Sequence, residues 1–143
     1  MKHAVLLSAL LVSLTAGVAQ AAEPKVKTNL IDHSNGTLID ADVAKGVMAE
    51  GIPARVWKLY PASKYTFLSQ VEGGLTAGRT CVVSARVMLL PLTATVRAVL
   101  FRPQKTATAF DAQADSSTEQ CRALARDKLK EATGAVVSAL VKS

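Results

Sequence analysis

The sequence predicts an α+β domain: an antiparallel four- to five-stranded sheet, with a short N-terminal helix and a long C-terminal helix packed on it. Three observations predict this. Apolar and polar residues alternate along most of residues 55–111, the period of a half-buried strand. Behind the capping-box pattern Ser116-Ser117-Thr118-Glu119 the period becomes helical, to about Val141. The loops between the alternating runs are short, which makes consecutive strands neighbours in an antiparallel meander.

Residues 1–21 stand apart from this domain. They open with Lys2 and His3, run through an apolar stretch from Ala4 to Val12, and end at Ala19-Gln20-Ala21. A basic start, a short apolar core and an A-x-A ending form a secretory signal peptide, cleaved near Ala21. No Cys follows the small residues, so a lipid-anchored product is not expected. What remains is a single domain over residues 22–143, with 22–28 as a flexible, polar start. The product is expected in the periplasm or the medium, and it is not membrane-spanning. No second stretch approaches the ~20 apolar residues that a span requires.

The elements follow in order. Asn29 to Asp32 reads as a short strand, and Asn35-Gly36 as a turn, since both residues tolerate positive φ. Asp40 is placed to cap a short helix with Val43, Ala44, Val47 and Met48 on one face, ended by Gly51 and Pro53. Residues 55–60 are expected as the first strand of a hairpin. The next strand turns Tyr65, Phe67, Ser69 and Val71 to one side and ends at Gly73-Gly74. Residues 79–90 form the longest strand, with Cys81, Val83, Ala85, Val87 and Leu89 facing inward until Pro91. Residues 95–101 return, Val96, Ala98 and Leu100 alternating with Arg97, Val99 and Phe101, and 106–111 close the sheet. The last helix carries a stripe of Cys121, Leu124, Ala125, Leu129, Ala132, Val136, Ala139 and Leu140.

Strand period and helical period independently point Cys81 and Cys121 inward. In an exported chain the two are expected to form a disulfide. Closing that loop is worth about 4 kcal/mol on the chain-entropy model.

The opposite face of the sheet is too apolar for a solvated one: Val82, Met88 and Leu90 accompany Arg86, and Val99 and Phe101 join them. Either the short helix covers it, or the sheet curls around the long helix, or this face meets a partner or a second copy of the chain.

Chemistry-bearing motifs are scarce. Beyond the signal segment the chain holds one histidine, His33, and none of the HExxH, CxxC, GxSxG, SxxK or phosphate-loop patterns. One His and two paired Cys do not make a zinc site. Asp32, Asn35, Asp40 and Asp42 fit no calcium loop. Glu72, Asp111 and Asp115 are the carboxylates near strand ends. No catalytic residue, metal or cofactor is therefore expected.

The charge balance is basic, 17 Lys+Arg against 11 Asp+Glu, and Arg55, Lys58, Lys64, Arg79, Arg86, Arg97 and Arg102 all fall in the sheet half. Nucleic acid is an unsuitable target for an exported chain without a recognition motif. Lipid headgroups, lipopolysaccharide phosphates, acidic polymers and acidic proteins are the anions available outside the cytoplasm. Trp57, Tyr60, Tyr65 and Phe67 gather around the first expected hairpin, either as cross-strand packing or as a binding platform.

The reading is an exported, non-enzymatic binding or accessory protein of the cell envelope. It would engage a protein or an anionic envelope component through a sheet surface containing Arg86, Arg97, Val99, Phe101, Trp57 and Tyr65. A carrier of a small amphipathic ligand held between sheet and helix is the first alternative. An enzyme of unfamiliar type, with a polar pocket near His33 or Glu72, is the second.

Overall fold

A computed structural model describes residues 26–142. The expected signal segment 1–21, and most of the expected flexible start, lie outside the described residues. Seven elements follow: β1 (Leu30–Asp32), α1 (Ala41–Gly51), α2 (Ala54–Leu59), β2 (Tyr65–Leu75), β3 (Cys81–Pro91), β4 (Lys105–Gln113) and α3 (Thr118–Val141). The fold is α+β, with a four-stranded sheet in the order β1-β2-β3-β4 and a long C-terminal helix.

The sheet is mixed, which corrects the purely antiparallel expectation. β1 runs parallel to β2, pairing Leu30 with Phe67 and Asp32 with Ser69, whereas β2–β3 and β3–β4 are antiparallel. The reason lies in the connection. A parallel neighbour needs a long crossover, and α1 with α2 supplies one, because residues 54–59 form a helix and not the expected first strand. Val56, Trp57 and Tyr60 turn to one side at i, i+1 and i+4, the first two buried and Tyr60 partly so. Six residues are too few to separate that pattern from period two, and Pro53 before the helix favours its start.

Residues 95–101 are not a strand either. Leu92 and Val99 make one isolated bridge, Thr93 N donates to Ala98 O at 2.8 Å, and the chain between forms a projecting finger. Its residues 94–101 are all exposed, so no packed surface rewards their alternation. By contrast, β2 continues through Gly73-Gly74 to Leu75. Gly73 adopts φ +120°, and a Cβ there would collide with the Val82 carbonyl oxygen, so the close pairing requires glycine.

The core lies between one sheet face and the helices. Phe67, Val71, Cys81, Val83, Ala85, Val87 and Leu89 meet Ala125, Leu129, Ala132 and Val136 of α3, and Ala44 and Met48 of α1 join from the side. The cap of α3 is one residue later than expected: Ser117 Oγ accepts from Gln120 N at 3.2 Å, and Gln120 Oε1 accepts from Ser117 N at 2.7 Å. Asp40 occupies the N-cap position of α1 without a side-chain cap bond. The Cys81–Cys121 disulfide is present and ties the start of β3 to the first turn of α3.

The opposite sheet face divides in two. Leu68, Met88 and Leu90 form a second, small buried cluster with partly buried Ile31. Toward the other end of the strands the same face carries Gln70, Glu72, Ser84 and Arg86, with Phe110 64% exposed on β4.

Candidate binding surface

The finger at the end of β3 is the most unusual surface of the fold. Pro91 ends the strand, and the hairpin that follows is held by Leu100 N to Pro91 O at 2.9 Å and by Ala98 N to Thr93 Oγ1 at 2.9 Å. Arg97 adopts φ +54°, uncommon for a residue with a side chain, and its guanidinium donates to Ala62 O at 3.1 Å. That bond fastens the finger to the segment between α2 and β2. Along the finger Val96 is 76%, Leu100 45% and Phe101 69% exposed, with Val99 just beyond half-buried. Arg102 follows directly and is exposed.

Two shallow grooves lie at its base. One, of about 440 Å³, is lined by Ser63, Lys64, Tyr65 and the chain from Pro91 to Ala94. The other, of about 420 Å³, is lined by Lys27, Thr28, Asn29, Ala62, Ser63 and Arg97. Ser63 belongs to both, so the grooves adjoin. Their cations, Lys27, Lys64 and Arg97, give the surface a positive character beside the exposed apolar side chains.

The structure divides the expected surface residues. Arg97, Val99 and Phe101 come together on the finger, and Tyr65 stands at its base, edge-on to Tyr60 with ring centroids 5.4 Å apart. Arg86 is exposed but sits on the sheet face, in a dent of about 50 Å³ with Gln70, Glu72 and Ser84. Trp57 is withdrawn from the surface. It is buried in the core, its ring edge-on to Phe67 at 5.2 Å, and its indole N–H finds no acceptor. Lys64, one of the basic residues of the sheet half, and Lys27 join the surface, as do Val96 and Leu100, which read in the sequence as the inward side of a strand that does not form.

The other candidates are separated by the fold. Glu72 and Asp111 lie on opposite faces of the sheet, as the Glu72–Ser84 and Val83–Asp111 pairings require. Asp32 accepts hydrogen bonds from Ser34 Oγ and Ser69 Oγ, each at 2.6 Å, which locks the β1 end, and His33 beside it is exposed. Among the described residues no three His, Cys, Asp or Glu side chains group as metal ligands. A 50 Å³ dent has room for a water or two, far below the ~300 Å³ where ligand pockets begin. Between sheet and α3 the space is filled by fully buried Val83, Ala85, Val87, Ala125 and Leu129, so a ligand chamber there gains no support. No helix among the described residues is long and apolar enough to cross a membrane.

No family model and no curated protein matches the chain. Among solved structures it is similar to a variant of PelC from Paraburkholderia phytofirmans, solved as a dodecamer, at 12% identity. That match covers 81% of this chain and 92% of the other, with a TM-score of 0.43. It is also similar to a candidate lipoprotein from Caulobacter crescentus CB15 at 14% identity, covering 71% and 77% of the two chains, with a TM-score of 0.36. Both scores are too low to carry a role from one protein to another.

Proposed function

We propose that this chain is an exported, non-enzymatic binding protein of the cell envelope. Its finger and the adjoining grooves would engage a partner that presents acidic groups beside an apolar surface. One observation carries the reading: Val96, Leu100 and Phe101 are exposed on an extension that the sheet does not need, beside Arg97 and Arg102. Apolar side chains held out of the core cost free energy in water, and covering them recovers about 25 cal/mol per Å². The arginines select an anionic partner, because their charge steers encounter and rejects cationic surfaces. Export to the periplasm or medium is supported by the leader over residues 1–21 and by the Cys81–Cys121 bond, which persists in oxidising compartments.

A photoreactive residue at Phe101, expressed in the native host, tests this. A discrete adduct that disappears with Arg97→Glu and Arg102→Glu is expected. Recovery of uncrosslinked protein alone, in intact envelopes, would overturn the proposal. Flotation with vesicles of anionic lipid separates the two sources of acidic groups. Binding to vesicles identifies a lipid headgroup, and an adduct without vesicle binding identifies an acidic protein.

A further inference from the structure

We infer that the free edge of β4 pairs with the same edge of a second copy of this chain, in an antiparallel two-fold register centred on Thr108. The surface is distinct from the finger, and the inference does not rest on the function proposed above.

The edge is open and its polarity can be worked out. β4 is the last strand of the sheet and has β3 as its neighbour on one side. Leu92 N donates to Lys64 O on the β2 side of β3, and Leu89 O accepts from Gln104 N on the β4 side. Even-numbered residues of β3 thus bond toward β2 and odd-numbered ones toward β4. The β4 partners of those odd residues are Lys105, Ala107, Ala109, Asp111 and Gln113. The amides and carbonyls of Thr106, Thr108, Phe110 and Ala112 therefore point outward. Ala112 N is already taken by Asp111 Oδ1 at 2.8 Å. Three consecutive outward rungs remain, on Thr106, Thr108 and Phe110, and all three residues are exposed. A flat run of unpaired rungs without proline is a template for another strand.

Charge fixes the occupant and the register. Lys105 and Asp111 bound the open run, three residues to either side of Thr108. A two-fold axis at Thr108 sets Lys105 opposite the partner's Asp111, twice, and Thr106 opposite the partner's Phe110. All three outward rungs of each copy are then satisfied. A slip of two residues sets Lys105 opposite Gln113 or Ala109 and loses both ion pairs. A parallel in-register pairing brings lysine beside lysine. The segment is complementary to itself in one arrangement.

The helices permit the approach. Lys128 of α3 lies 3.5 Å from Asp111, so this flank of α3 overhangs β4. Leu124, Glu131 and Ala135 share the flank by helical spacing. α3 packs on β3 as well as β4, so its axis lies inboard of the edge, and two copies joined at a strand spacing of ~4.8 Å bring their helices side by side.

Sedimentation equilibrium of the purified protein tests the pairing, beside Thr108→Pro and Lys105→Glu variants. Proline at 108 removes an outward amide that the monomer does not use, so the fold is retained, as circular dichroism will verify. The parent should be a dimer, Thr108→Pro a monomer, and Lys105→Glu should raise the dissociation constant about tenfold. A parent that stays monomeric at every concentration would overturn the inference. So would a dimer that survives Thr108→Pro.

Discussion

Cys81 and Cys121 stand 5.4 Å apart, Cα to Cα, one at the first residue of β3 and the other in the first turn of α3. Both are buried, and they belong to the same core as Val83 and Ala125. The bond fixes one end of α3 to the inward face of the sheet, while Leu129 and Val136 hold the middle by packing.

Cys121→Ser should therefore lower stability without abolishing the fold. Loss of about 2–4 kcal/mol corresponds to a melting temperature lower by on the order of 10 °C in a domain of this size. Thermal unfolding of the variant and its parent checks the shift. Intact mass of the native protein should rise by two protons under reductant, and two free thiols before reduction would contradict the bond.

Gly51, the last residue of α1, packs directly on Thr133 of α3. A Cβ at Gly51 would sit 2.7 Å from Thr133 Cγ2, and Thr133 is held by its own bond from Oγ1 to Leu129 O at 2.7 Å. Gly51→Ala should destabilise by about 1 kcal/mol, overpacking outweighing the better helix propensity of alanine. Thr133→Ser removes the obstructing methyl and keeps the hydroxyl, so the double variant should recover the loss. Urea midpoints of the four proteins give the coupling directly.

Lys128 joins α3 to β4 by charge. Its hydrogen bond to Glu131, at 2.7 Å, raises its pKa above the ordinary lysine value; partial burial opposes this, and the charges of Glu131 and Asp111 add to the rise. A raised folded value means that the stabilisation is complete below the unfolded lysine pKa and is lost as pH climbs through the folded one. Lys128→Met should be modestly less stable than its parent near pH 8, by a margin that shrinks with salt. The difference should shrink as pH climbs through the raised lysine value. A difference that stays constant across that rise would contradict the assignment.

Much of this fold was legible beforehand where one face is buried over many residues. Cys81 to Leu89 and the stripe of α3 each repeat their period often enough to set both the element and its direction. Residues 55–60 and 95–101 depart from the strands their sequence predicts for one shared reason. Each is too short for its period to be decisive, and each depends on what it packs against. Trp57 and Val56 found a core as a helix, whereas Val96 and Leu100 found none. The finger follows the same rule: Arg97, Val99 and Phe101 read as strand residues, and their exposed place on an extension is not legible in the period.

Period and residue chemistry by themselves thus determined an α+β domain, an inward-facing cysteine pair and a basic sheet half, because burial pattern, thiol placement and charge are local properties of the chain. Tertiary structure decided the rest. It made β1 parallel through a helical crossover, placed Glu72 and Asp111 on opposite faces, buried Trp57 and left β4 with an open edge. Each of these depends on which distant segment occupies the neighbouring space, and no local period records that.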